Sequence, residues 1–225
     1  MDHPRNIGRN GTTRAERSTQ HLRDAILTLQ LVPGARLVER NLERLLGVSR
    51  TSIRSALLAL EGEGLVTRGR RGVFSVAVVS PDEARQIYEV RAALEPAMVR
   101  LFIARASTGQ FAALQAAVGR AEAAARDANP VAYVETFREF YGVLLAGSGN
   151  EVARSILETL AARVSYLRHL TTQRASRLRQ LRTAALLRGV YTAVAARDPA
   201  LAARRSAAFV VRSARFALEV LADGA

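Results

Sequence analysis

The chain has 225 residues, nearly half of them apolar, enough to bury one large core or two smaller ones. Every basic residue is arginine, and 33 basic against 20 acidic side chains give a net charge of +13, which favours a polyanionic partner such as nucleic acid, or a membrane surface. With no cysteine, disulfides and thiolate catalysis are excluded, and the abundance of alanine beside few aromatics favours packed helices over sheets. A base-rich genome would also enrich arginine and alanine, but it does not explain the excess over acids.

Residues 1–13 are polar and rich in Asn, Gly and Arg, and are expected to form a flexible tail without the apolar segment of a secretory signal. No apolar run approaches the roughly 20 residues that span a bilayer. A membrane role is therefore not expected, and the expected location is cytoplasmic. Between Arg14 and Gln30, apolar residues at Leu22, Ala25, Ile26 and Leu29 have helical spacing, and Val32-Pro33-Gly34 marks a turn. Residues 35–38 suit a short strand. A helix is expected over 41–46, with Leu42, Leu45 and Leu46 on one face, closed by Gly47. Ser49 is placed to cap the next helix, whose Ile53, Ala56, Leu57 and Leu60 share an arc and which ends near Gly62 and Gly64. Two strands, 65–67 and 73–78, flank Arg68-Gly69-Arg70-Arg71-Gly72.

Ser80-Pro81-Asp82-Glu83 starts a helix and marks a domain boundary. From there the pattern predicts helices over 81–105, 108–126, 130–147, 151–171, 176–196 and 199–222, with Pro96 expected to kink or split the first. The fold class expected is mainly α. Residues 14–78 form a winged helix-turn-helix with a small β-hairpin wing, and 79–225 an all-α antiparallel bundle.

The first part carries the chemistry of a DNA reader. Arg50 and Arg54, four apart, share a face at the start of the third helix, beside Ser49, Thr51 and Ser52. That end of a recognition helix enters the major groove, where arginine reads guanine and hydroxyls suit phosphates or base edges. Arg40 is placed to hold a phosphate. Arg68, Arg70 and Arg71 on the wing suit the backbone or minor groove, and Gly69 and Gly72 let the hairpin turn tightly against the duplex.

Pro33-Gly34, Leu37-Val38-Glu39-Arg40, Leu45 to Thr51, Ile53-Arg54, Ala56-Leu57, Leu60-Glu61, Glu63 to Val66 and Arg71-Gly72 together resemble the GntR family of bacterial transcription regulators over residues 14–78. The resemblance implies operator contacts from Arg40, Arg50, Arg54 and the wing. Ser55 stands where that family usually has Glu. Residues 80–222 resemble the FCD effector domain of the FadR-like branch, in its shorter VanR-like form, through Ile87 to Glu95 and the corners at Gly149-Asn150 and Ala196 to Asp198.

Many such domains hold a divalent metal with one Asp and three His. The corresponding positions here are Phe137, Tyr141, Leu187 and Phe209, and the whole chain has only His3, His21 and His169. Neither a metal nor another cofactor is expected. Two arrangements fit the cluster. In one, Phe137, Tyr141, Leu187 and Phe209 wall an apolar effector pocket anchored by Arg91. In the other they fill the core, and Arg91 pairs with Glu95 one turn on. An enzyme is not expected, since nucleophile–base pairs, paired carboxylates and phosphate loops are missing. The resemblance implies a homodimer on an inverted-repeat operator in duplex DNA, a small-molecule effector and repression. The rival is an architectural DNA-binding protein with a filled, effector-free core.

Overall fold

The computed structural model describes residues 14–70 and 72–223; the expected tail at 1–13 and the wing residue Arg71 lie outside the described residues. The chain divides into two compact units between Ala77 and Val78.

In the first unit, α1 (Arg14–Leu27) buries Leu22 and Ile26 against α3 (Arg50–Gly62), whose Ile53, Ala56, Leu57 and Leu60 are fully enclosed. Helix α1 stops three residues short of the expected Gln30, because Leu29 adopts a left-handed conformation (φ 60°) and Leu31 N–H turns back to the Ala25 carbonyl. Helix α2 (Glu39–Leu46) starts two residues before the expected Asn41. Of its three leucines only Leu42 is buried, and Leu45 is 74 % exposed. Eight residues bury about one turn against α3, so the expected three-leucine face is not enclosed.

Three short strands, β1 (Arg36–Leu37), β2 (Val66–Arg68) and β3 (Phe74–Val76), form an antiparallel sheet in the order β1-β3-β2. Leu37 faces Phe74 and Val66 faces Val76 across the ladder. Strands β2 and β3 make the expected hairpin, although β3 is half the expected length.

The second unit contains six helices among the described residues: α4 (Pro81–Arg105), α5 (Thr108–Arg126), α6 (Pro130–Ser148), α7 (Glu151–Arg174), α8 (Arg177–Ala195) and α9 (Pro199–Ala222). Each begins at a polar N-cap, in order Ser80, Ser107, Asn129, Asn150, Ser176 and Asp198, whose side chain accepts a backbone N–H of the first turn. Such caps contribute about 1 kcal/mol each.

Pro96 does not split α4, which runs unbroken through it. The buried row of Met98, Val99, Phe102 and Ile103 beyond it holds the helix against α6 and α9, and this burial outweighs the lost N–H. Nor does α7 stop at Thr171-Thr172: the Thr171 hydroxyl donates to the Arg168 carbonyl, Thr172 is buried, and the break falls at Ala175-Ser176. The core holds Phe102, Leu114, Phe137, Phe140, Leu144, Leu187 and Phe209. Helices α4 and α6 approach closely at Gly147, where an added Cβ would lie 2.4 Å from the Phe102 ring.

Candidate nucleic-acid interface and ligand cavity

The first unit sets α2 and α3 at the angle fixed by Gly47, which takes a left-handed conformation (φ 63°) that glycine adopts without strain. The Ser49 Oγ accepts the Ser52 N–H at 3.3 Å and lies 3.0 Å from the Ser52 hydroxyl, which organises the first turn of α3. Arg50, Thr51 and Arg54 project from that turn and are exposed, as are Ser49 and, on α2, Arg40; Ser52 is half-buried.

One carboxylate gathers the two arginines of α3. Arg50 Nε donates to Glu39 Oε2 at 2.8 Å, and Arg54 Nη1 reaches Glu39 Oε1 at 3.5 Å. Glu39 is largely enclosed while Arg50 and Arg54 keep 74 % and 53 % of their side-chain surface in solvent. The hydrogen bond and the charge of Glu39 raise the pKa of Arg50 further. The arginine heads are thus oriented before any partner arrives, while their remaining donors stay free.

In the wing, Gly69 N–H bonds to Val73 O at 2.9 Å and Gly72 N–H to Gly69 O at 2.8 Å. Gly72 has φ 73°, and a Cβ there would also press on the Arg68 guanidinium at 3.4 Å. The Arg68 head lies 5.6 Å from the Phe74 ring centroid. Arg68 and Arg70 are exposed.

In the second unit, the expected pocket walls are core. Phe137, Leu187 and Phe209 are 1 %, 1 % and 2 % exposed, and the Phe137 and Phe209 rings stack 6.0 Å apart. These side chains pack against one another in the core of the unit. Arg91 is likewise enclosed: its Nε donates to Glu95 at 2.5 Å and its Nη2 to the Tyr141 hydroxyl at 3.2 Å. Burial pushes the Arg91 guanidinium down, but Glu95, with Tyr141 and Tyr88, more than offsets it, so its pKa is raised. The same burial pushes the Tyr141 phenol up. Arg91 is thus paired internally with Glu95 and Tyr141, beside a core that encloses Phe137, Leu187 and Phe209.

A cavity of about 720 Å³ lies elsewhere in the same unit, where the end of α7, the start of α8 and the later part of α9 meet. Tyr88 and Tyr133 contribute to its wall, and Arg168, Arg179, Arg182, Arg212 and Arg215 all line it, against a single acidic residue, Glu219. Arg179 is the one placed near that acid, at 3.8 Å, with its head 3.7 Å from the Phe216 ring. The Arg168 head packs 4.1 Å from the Phe137 ring centroid, and no carboxylate among the described residues pairs with it. Burial and the neighbouring Arg91 charge lower its pKa. Gln180, also in the wall, donates to the Thr172 and Ala175 carbonyls at 3.3 and 3.5 Å and leaves its own oxygen without a donor. Tyr133 donates to the Gln180 carbonyl at 3.3 Å, and burial pushes its phenol up to about 12.

Sequence reasoning missed this wall. Arg179 and Arg182, like Arg212 and Arg215, carry a legible three-residue spacing, but nothing in the order of residues sets Arg168 or Gln180 apart. Among the described residues no three His, Cys, Asp or Glu side chains converge, and no helix is long and apolar enough to cross a membrane.

Two family profiles match the two units. "Bacterial regulatory proteins, gntR family" covers residues 14–76, and "FCD domain" covers 86–212. The chain belongs to the GntR family, with an FCD domain. It is 28 % identical over 139 residues to the HTH-type transcriptional regulator YdhC of Bacillus subtilis, covering 61 % of this chain and 62 % of YdhC. It is 39 % identical to the HTH-type regulator Rv0494 of Mycobacterium tuberculosis, covering 52 % of this chain and 57 % of that one. The chain thus spans about three fifths of these curated relatives. The McbR/YncC structure from E. coli superposes with a TM-score of 0.82 at 20 % identity, covering 93 % of this chain and 99 % of the other. A GntR regulator from Rhodococcus sp. RHA1 gives 0.79 at 22 %, covering 92 % and 98 %. These likenesses show the fold of this GntR chain.

Proposed function

We propose that this GntR chain is a sequence-specific, DNA-binding transcription regulator that acts as a homodimer on an inverted repeat and represses when bound. The observation that carries the reading is the start of α3. A capped helix end presents Arg50 and Arg54, exposed and oriented by Glu39, next to an arginine-bearing wing. Arginine heads held on a helix end suit the guanine edge in the major groove, while Arg40, Arg68 and Arg70 suit phosphates. Ser49 and Thr51 add hydroxyls at the same end, and Ser52 belongs to the cap. Two such helices fit successive major grooves about 34 Å apart.

The FCD unit supports control by a small molecule. It takes its ligand in the arginine-lined cavity, independently of a metal, and the ligand shifts the balance between states of different operator affinity.

The test is selection of fragments bound from the host genome, followed by footprinting and sedimentation. The expected result is a protected inverted repeat with half-site centres about 34 Å apart, bound by a dimer. Enrichment without any shared sequence would overturn sequence-specific regulation in favour of an architectural role.

A further inference from the structure

The cavity of the C-terminal unit is unbalanced in charge. Five guanidinium groups line it against one carboxylate, and that carboxylate is already beside Arg179. Arg182, Arg212 and Arg215 are at least exposed to water. Arg168 is only partly open to solvent and is set against the Phe137 ring. The neighbouring charge that acts on it most strongly is another cation, Arg91, whose own carboxylate partner Glu95 is already engaged. Taking a charge out of water without a counter-charge is costly. A cation held so by the fold is most economically explained by a counter-charge that arrives with a ligand.

The surroundings have the matching polarity. The first turn of α8 contributes Ser176, Arg179 and Gln180 to the wall, which brings the positive end of a 19-residue helix beside the same space. Thr171, Thr183 and Ser213 line it as well, their hydroxyls donating to backbone carbonyls one turn back. The oxygen of Gln180 lacks a donor, which a ligand hydroxyl or N–H group would supply. A single negative charge would leave most of the lining uncompensated.

We propose that this cavity binds a small molecule carrying two or more negative charges, as phosphate or carboxylate groups, and that Arg168 is the inner cation it neutralises. The proposal rests on the reading of this unit as ligand-responsive and adds the chemical class of the ligand. Arg212 and Arg215 hold the outer charge. Tyr88 and Phe216 add aromatic rings to the wall, the Phe216 ring lying against the Arg179 head.

The test uses full-length protein, with inorganic pyrophosphate and citrate as probes and sodium chloride at matched ionic strength as the control. Thermal unfolding and isothermal titration are read together. At least one probe is expected to raise Tm saturably, with one site per chain, beyond the effect of chloride. Arg168→Met removes the charge and keeps an unbranched apolar side chain at the position. It is expected to raise the Tm of the free protein and to weaken probe binding at least tenfold. Arg212→Gln, at an exposed position, is expected to weaken binding several-fold with the free Tm unchanged. The double variant Arg50→Ala/Arg54→Ala is expected to bind the probes as the parent does.

The proposal is overturned if neither probe acts beyond chloride. Equal binding by Arg168→Met also overturns it, as does binding lost in the Arg50/Arg54 variant instead, which marks adventitious anions on the first unit. Operator affinity separates the two readings. Probe binding through Arg168 with unchanged operator affinity leaves the site standing and removes its regulatory role. Operator release by an uncharged compound, with no response to either anion, does the reverse.

Discussion

Arg50 Nε, at the first residue of α3, donates at 2.8 Å to the carboxylate of Glu39, the first residue of α2. The same carboxylate reaches Arg54, so one half-hidden acid orients two exposed bases. Glu39 would otherwise be an odd neighbour for DNA, since it repels phosphates. Its value lies in fixing the arginine heads at no further entropic cost when bases are met.

Glu39→Gln therefore is expected to separate affinity from discrimination. Binding to random duplex should hold or rise, because a negative charge is lost. The preference for the operator should fall by about tenfold, because the arginine heads are no longer held. Fluorescence anisotropy on operator and scrambled duplexes at one salt concentration reads both. An unchanged ratio would show that Glu39 does not position them.

Arg70 lies on the exposed turn of the wing. If it meets a phosphate, Arg70→Ala lowers the slope of log affinity against log salt by about 0.9 and leaves base preference alone. Titrations at several salt concentrations check this. A shifted base preference at constant slope would place Arg70 on a base edge.

Gly147 and Gly119 make opposite predictions for the same change. A Cβ at Gly147 meets the Phe102 ring at 2.4 and 2.6 Å, whereas one at Gly119 meets nothing within 4 Å. Gly147→Ala should destabilise by roughly 1–3 kcal/mol through overpacking. Gly119→Ala, inside α5, should stabilise by roughly 0.5–1 kcal/mol through helix propensity. Urea unfolding of both variants decides. A neutral Gly147→Ala would mean that α4 and α6 do not meet so closely in solution.

His169 is buried, and burial, reinforced by the Arg168 charge, lowers its pKa from 6.5, against a smaller opposing effect of Glu135. The unfolded chain therefore takes up this proton more readily than the folded one. The contribution of neutral His169 is fully present above about pH 6.5 and is lost as pH falls through the lower, folded value. Between about pH 7 and pH 5, His169→Gln should lose less Tm than the parent. Parallel melting curves of equal slope would contradict this.

Much of the chain was legible because its signals are local. Caps such as Ser49, Ser80 and Asp198 act on backbone three residues away, and a glycine such as Gly47 ends a helix where it stands. Those features place the helices, and with them the exposed end of α3. Local signals misled where tertiary contact decides. Pro96 sits within a helix pinned on both sides, and Leu45, apolar and in phase, has no surface to cover it. The Glu39–Arg50 bond joins residues 11 apart through the turn and has no spacing rule of its own.

The arginine-lined cavity was the least legible part. Its wall draws single residues from α4, α6, α7, α8 and α9, so no stretch of sequence carries it. Phe137, Leu187 and Phe209 share one interior, with Tyr141 packed against it, yet apolar side chains that meet in an interior either wall a space or fill it, and only packing tells which. Here they fill it, and the space lies beyond the Arg168 head that covers Phe137.

In the proposed function, the arginines at the start of α3 read the sequence of duplex DNA. The most direct measurement is the ratio of affinities for the selected operator and for random duplex, in the parent and in Arg50→Ala/Arg54→Ala. The parent should favour the operator by on the order of 10³ or more, and the double variant should fall close to parity while keeping salt-dependent binding. A double variant that still prefers the same operator by the parent's ratio would contradict the account.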